Sequence, residues 1–306
     1  MQNLLQFQNR LLSLKNRKTL KIILHVGSPK TATTTLQHLL HNNRDLLLEN
    51  GFMYPLSNNT PPKHQWMVKP LRDENLNFFT NRFVELIEPL DSNIHTLILS
   101  TEGLFNHWFD FTPLSRAYLK MLAEIFDIRI LCVLRDQVSF TKSYYQQMLK
   151  NPQLPIVKCY GQDLSIDELL EDSWFLQHLD YYAYTQEWEV LFTKEKITLL
   201  KYDKNILTRI LEHLEISFDL QHTKSNKNVS LNTISCEMLR VINRYNLSPT
   251  DKQTLVTQMR EIDIITSHYN NKDILSVSVV EKIKKICKLS NQDLEKHYNI
   301  TFKDLH

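Results

Sequence analysis

The chain has 306 residues, 42% of them hydrophobic, and 36 lysines and arginines against 34 aspartates and glutamates, for a net charge of +2. That length carries one large domain with a full core, and the near-balanced charge excludes a global attraction to nucleic acid or acidic membranes, so any basic character must be local. Cys132, Cys159, Cys236 and Cys287 are widely spaced without a C-x-x-C pair, so neither a zinc site nor a disulfide framework is indicated. A reducing, cytoplasmic setting is the simpler expectation. No uninterrupted apolar run approaches a membrane span, and the first twenty residues are too polar for a secretory signal.

In chain order, residues 1–20 carry basic residues and leucines but no acid. They are expected as an N-terminal extension that packs or frays, with a weak surface-seeking helix touching a membrane periphery as the alternative. Strands are expected near 21–26, 96–100, 129–134 and 197–201, where short β-branched and apolar runs occur. Helices are expected near 33–48, 114–126, 137–149 and 178–193. Pro61, Pro62 and Pro70, with Asn58 and Asn59, mark an irregular segment expected over the cleft. From about 205 the pattern is helical only, near 203–214, 231–245, 250–262 and 277–297. The alternation predicts an α/β fold with a mainly parallel central sheet flanked by helices and a helical C-terminal part, residues 21–306 forming a single domain. Only four glycines occur. Gly27 opens a turn, Gly51 follows the first long helix and Gly103 follows the second strand.

The strand Lys21–Val26 runs through Gly27-Ser28-Pro29-Lys30-Thr31-Ala32-Thr33-Thr34-Thr35 into a helix marked by Leu36, Leu39, Leu40 and Leu47. A helix start near Thr31 to Thr33 exposes N–H groups without intrahelical partners and the positive end of the macrodipole, which makes an anion site. Consecutive threonines are poor helix formers, so their hydroxyls explain them better, with Lys30 as a mobile cation at the lip. Lys30 stands three residues after Gly27 and before the hydroxyl run, unlike the G-x-x-x-x-G-K-[ST] loop of nucleotide triphosphatases. Taken singly, the loop also fits a Thr-rich helix cap with a solvated lysine.

A second buried strand, Arg129–Leu134, ends in Arg135 and leads into an amphipathic helix that carries Ser143. Side chains tilt toward a helix N-terminus, so the Ser143 hydroxyl is expected to point back toward Arg135. A guanidinium fork, a hydroxyl and a helix N-terminus suit a phosphate monoester.

The Lys-Thr-Ala-Thr-Thr loop resembles the 5′-phosphosulfate loop of sulfotransferases, which bind 3′-phosphoadenosine 5′-phosphosulfate (PAPS). The Arg135 to Ser143 interval resembles their 3′-phosphate motif. Gly51–Pro55, Leu99–Gly103, Asp180–Tyr182, Ile197–Tyr202 and Ser290-Asn291 look like landmarks of the bacterial-type enzymes acting on carbohydrates or lipids. The resemblance runs from about Lys21 to near the end. It implies a P-loop-like three-layer fold and transfer of a sulfuryl group to a hydroxyl or amine of a glycan, glycolipid or other hydroxylated acceptor, without metal, nucleic acid or a transmembrane segment. Ala32 departs from it, standing where glycine is more usual. Helical dihedrals and a free N–H are expected there.

On this resemblance Lys30 stabilises the bridging oxygen, Thr31, Ala32, Thr33, Thr34 and Thr35 hold the 5′-phosphate, and Arg135 and Ser143 hold the 3′-phosphate. Lys227 and Asn228, in a loop before a C-terminal helix, resemble the segment that closes over the nucleotide. Glu102, directly after a strand, is the expected base, and His64 is the rival base or an acceptor ligand. Trp66, Phe78, Phe79, Trp108, Phe109 and Phe111 are sugar-stacking platforms or core, with core packing favoured for any one of them. Two other classes compete with the enzyme reading: a non-catalytic nucleotide- or glycan-binding relative, and an ATP-dependent P-loop kinase. The kinase accounts for the first loop only.

Overall fold

The computed structural model describes residues 2–14, 20–59, 61–153, 157, 159–221, 231–245, 247–266 and 273–302. In chain order its main elements are α1 (Gln2–Leu12), β1 (Lys21–Gly27), α2 (Thr33–Asn42), α3 (Arg44–Glu49), β2 (Phe52–Met53), α4 (Val68–Arg72), α5 (Leu76–Ile87), β3 (Thr96–Ser100), α6 (Gly103–Asn106), α7 (Pro113–Ile125), β4 (Asp127–Leu134), α8 (Gln137–Lys150), α9 (Ile166–Leu169), α10 (Ser173–Gln177), α11 (Tyr181–Phe192), β5 (Ile197–Lys201), α12 (Ile206–His213), α13 (Thr233–Ile242), α14 (Pro249–Thr266) and α15 (Val277–Tyr298). The chain falls into two compact units, one of Met1–Arg135 with Tyr182–Ser225, the other of Asp136–Tyr181 with Asn226–His306. Each unit has its own hydrophobic cluster.

The first unit holds a five-stranded, all-parallel sheet in the order β2-β3-β1-β4-β5. Alternate strand residues face opposite sides. Ile23, Ile98, Leu131 and Val133 meet Leu36, Leu39 and Leu40 of α2, Leu47 of α3, and Ile206 and Ile210 of α12. On the other face, α5, α6, α7 and α11 bring an aromatic layer that includes Phe83 against Phe126 and Phe105 stacked on Tyr184 at 4.2 Å. Apolar area removed from water on both faces, at about 25 cal/mol per Å², is the main force holding the strands in register.

Helix 33–48 breaks at Asn43, whose side chain donates to Leu39 O (2.8 Å) and Gln221 O (3.0 Å) and accepts from Gln221 N (2.8 Å). These bonds fix Asn43 between α2 and α3 and override the continuous apolar period. Within the N-terminal extension, Gln2–Leu12 form a packed helix. Phe7 and Leu11 are buried, Phe7 lies edge-on to Tyr118 at 5.7 Å, and Arg10 bonds Asn81. The apolar face that a membrane surface would need is largely spent on α5 and α7.

The second unit is helical. Its core joins Phe140, Tyr144 and Met148 of α8 to Leu239 of α13, Met259 of α14 and Ile283 of α15. Gln137 and Asn291 exchange amide hydrogen bonds at 2.7 and 3.2 Å, and buried Asp263 accepts from Asn232 N and Ser235 Oγ at 2.7 and 2.5 Å. All four cysteines are free and buried, and burial pushes the Cys236 and Cys287 thiols up to about 12. They are inert in the thiol form. No described helix is long and apolar enough to cross a membrane.

Candidate active site

In parallel α/β sheets, ligands sit beyond the carboxyl ends of the strands. Three segments of the first unit emerge there: the loop after β1, the turn after β3, and the end of β4. Gly27 holds φ +109°, and a Cβ on it would lie 3.3 Å from Pro29 N and 3.5 Å from Glu102 Cα. Glycine thus permits both the turn and the close passage of the Glu102 backbone. Ser28 is fastened to β4, its N and Oγ donating to Val133 O at 2.8 and 3.0 Å.

Lys30 and Ala32 both adopt the left-handed region, at φ +67° and +64°. The helical dihedrals expected at Ala32 are thereby corrected. It is the left-handed N-cap of α2, a conformation that costs a Cβ-bearing residue about 1–2 kcal/mol and that glycine would adopt without that cost. The amino end of α2 has no side-chain cap. Its first N–H groups have no acceptor within the helix. Thr31 is buried and donates its hydroxyl to Ser28 O at 2.5 Å, and Thr33 donates to Glu102 Oε1. Their hydroxyl protons brace the loop, while Thr34 is exposed and Thr35 half-buried.

Glu102 heads α6 and is half-buried. Besides the Thr33 bond, Oε2 accepts from Gln37 Nε2 at 3.4 Å, and Gln37 Nε2 also donates to Ser100 Oγ at 3.1 Å. Ser100 Oγ is 2.8 Å from His25 Nδ1. Register explains this meeting. His25 pairs with Ser100 across β1 and β3, and both continue the face of Ile23 and Ile98 that α2 covers, where Gln37 lies four residues after Thr33. Burial lowers the His25 pKa to about 4 against the opposing pull of the Glu102 charge, so the ring is neutral at pH 7.

His64 is also buried. Its Nδ1 accepts from Ser100 N at 2.9 Å, and its Nε2 is 3.1 Å from Pro55 O, which only accepts, so Nε2 carries the proton. Burial lowers its pKa to about 4, the two backbone bonds opposing. Both ring nitrogens are committed to backbone, which makes His64 a strut for the β3 end. The segment expected to be irregular joins it there, with Thr101 Oγ1 donating to Gln65 Oε1 at 2.8 Å and Gln65 and Val68 crowding Gly103.

Arg135 leaves β4 and donates from Nη1 to Lys30 O at 3.2 Å, with its guanidinium carbon 5.2 Å from the Tyr202 ring centroid. Tyr202 is brought there by its own N–H donating to Leu134 O at 2.7 Å. Arg135 therefore turns toward the loop that leads into α2. Ser143 lies half-buried on α8, in the second unit. The amino end of α8 is capped by the Asp136 carboxylate, which accepts from Ser139 N at 2.8 Å. A carboxylate thus satisfies one of the N–H groups at this helix end. Lys227 and Asn228 lie outside the described residues. Of the aromatic candidates, Phe79, Trp108 and Phe111 are core, Trp66 packs on Phe79 at 5.3 Å and Phe109 on Tyr184 at 4.6 Å, and Phe78 is exposed.

His25, Gln37 and Tyr202 were not singled out as site residues by sequence. A histidine within an apolar strand and a glutamine one turn after a threonine on a helix were the available signals.

Comparison with known proteins places the fold. The crystal structure of a sulfotransferase from Alicyclobacillus acidocaldarius is similar over 92% of this chain and 97% of its own, with a TM-score of 0.52 and 11% sequence identity. At that identity the likeness is one of fold. No family model matches the chain, and no curated protein matches it.

Proposed function

We propose that this chain is a sulfotransferase that takes the sulfuryl group of PAPS and passes it in line to a hydroxyl or amine of an acceptor, a glycan or glycolipid in the first instance. One observation carries the reading. An uncapped helix end, a lysine set in the left-handed loop before it, an arginine bonded to that loop and a carboxylate bonded to the first helical turn all belong to one sheet mouth.

Sulfuryl transfer needs the attacking and leaving oxygens aligned, charge neutralised on the leaving side and a proton removed from the acceptor. The residues fit that donor. The N–H groups opening α2, with Thr34 and Thr35, offer hydrogen bonds to a 5′-phosphate, and Lys30 supplies the cation for the bridging oxygen as the S–O bond breaks. Thr31 and Thr33 act there through backbone N–H groups, since their hydroxyl protons are engaged. Arg135 offers its guanidinium to the 3′-phosphate. The roles of Ser143, Lys227 and Asn228 toward that group rest on the sequence motif.

Glu102 takes the acceptor proton. It is half-buried at the strand end, with one donor on each oxygen and further lone pairs available. His64 supports it through the β3 terminus, because neither of its ring nitrogens has capacity left for a substrate proton.

The test is transfer of radiolabelled sulfate from PAPS to a panel of glycans and glycolipids. Lys30→Ala and Glu102→Gln are each expected to lower the rate about 100-fold or more. Transfer at the wild-type rate in Glu102→Gln would remove the base. PAPS binding without transfer to any class of acceptor would favour the binding relative, and a demand for ATP with magnesium would favour the kinase.

A further inference from the structure

We propose that Gln37, held by a buried pair of hydrogen-bonded residues, Ser100 and His25, is the positioning residue that sets the Glu102 carboxylate toward the acceptor. The inference rests on Glu102 being the base and deepens that assignment.

The carboxylate sets the direction of the contacts, because its oxygens only accept. Gln37 Nε2 stands 3.4 Å from Glu102 Oε2 and 3.1 Å from Ser100 Oγ, and Ser100 Oγ lies 2.8 Å from His25 Nδ1.

Gln37 gains an unambiguous orientation from this. Its amide nitrogen has two protons, one for Ser100 Oγ and one for Glu102 Oε2. Turning the amide over would set Oε1 against a carboxylate and remove the donor from both neighbours. Donation therefore diverges from Gln37, to Ser100 Oγ on one side and to Glu102 Oε2 on the other. His25, Ser100 and Gln37 are all buried, so water does not compete for the contacts among them.

Thr33 closes the arrangement from the other side by donating to Oε1. Gln37 and Thr33, one helical turn apart on α2, thus each hold one carboxylate oxygen and tie the aim of the base to the helix whose amino end faces the donor.

The test has a spectroscopic arm that needs no substrate. In ¹⁵N-labelled protein at pH 7, the Gln37 side-chain amide, assigned by its loss in Gln37→Leu, is expected to hold its protons against solvent exchange and to lose that protection in Ser100→Ala. A kinetic arm uses PAPS and its product 3′-phosphoadenosine 5′-phosphate. Gln37→Leu is expected to bind 3′-phosphoadenosine 5′-phosphate within twofold of wild type and to turn PAPS over roughly tenfold or more slowly, with the KM for PAPS unchanged. Thr33→Val, which removes the other donor, is expected to lower turnover in the same way.

A Gln37 side-chain amide that exchanges as freely as an exposed one, or full turnover in Gln37→Leu, would overturn the inference. If wild type fails to bind 3′-phosphoadenosine 5′-phosphate, the donor reading fails instead, and the amide protection still decides whether Gln37 is held as described.

Discussion

Lowering the pH from 7 to 5 should weaken this fold through two imidazoles that it keeps neutral. His25 and His64 are buried with pKa values lowered to about 4, while each returns to about 6.5 in the unfolded chain. The unfolded state thus binds more protons between those values, so the stabilising contribution is complete above pH 6.5 and is lost as pH falls toward 4. Each ring contributes about 2 kcal/mol to the difference between pH 7 and pH 5, or about 4 kcal/mol for the pair. That is a large share of the ~5–15 kcal/mol that holds a typical domain folded. The assay is urea unfolding followed by tryptophan fluorescence at the two pH values, a range in which most carboxylates stay ionised. His64→Gln removes one titrating group and leaves Ser100 N with a poorer partner, costing about 1–3 kcal/mol at pH 7. It should also halve the pH dependence. Equal stability of the wild type at pH 7 and pH 5, or an undiminished loss in His64→Gln, would refute the assignment of both rings as buried and neutral.

Ala32→Gly should stabilise the protein by up to about 1 kcal/mol, because relief of the left-handed alanine outweighs the extra freedom of the unfolded glycine; a lower Tm would contradict that balance. Gly103→Ala should destabilise by about 1–3 kcal/mol, since the new Cβ would stand 2.5 Å from Val68 Cγ2 and 2.8 Å from Gln65 Nε2; an unchanged urea midpoint would show that this packing yields freely. Arg135→Ala should weaken 3′-phosphoadenosine 5′-phosphate by about 10–100-fold in calorimetry while leaving AMP nearly unaffected, and equal losses for both nucleotides would assign the guanidinium to the loop alone.

Much of the sheet was legible because buried parallel strands are short apolar runs, and four of the five strands read that way. Phe52–Met53 was too short to announce itself, although Gly51 before it marked the turn. Helix α5 was hidden behind the prolines of a segment read as irregular, and the break at Asn43 depends on a partner 178 residues away. The loop after β1 was readable as an anion cradle from the order of Gly27, Lys30 and the threonines. Its left-handed alanine was not, because the dihedral is imposed by the turn and alanine alone would prefer a helix. The link from Glu102 through Gln37 and Ser100 to His25 exists only once β1 and β3 are paired in register and α2 is laid across them. Residue types mark such a chain as polar without saying which groups meet. The division into two units was equally invisible, since helices α8 to α10 continue the same alternating pattern that builds the sheet.

The most direct measurement is a titration of the protein with 3′-phosphoadenosine 5′-phosphate beside AMP and ATP, with and without magnesium. The account predicts tight, magnesium-independent binding that requires both phosphates and is weakened in Lys30→Ala and in Arg135→Ala. Binding that prefers ATP with magnesium, or that ignores the 3′-phosphate, would contradict it.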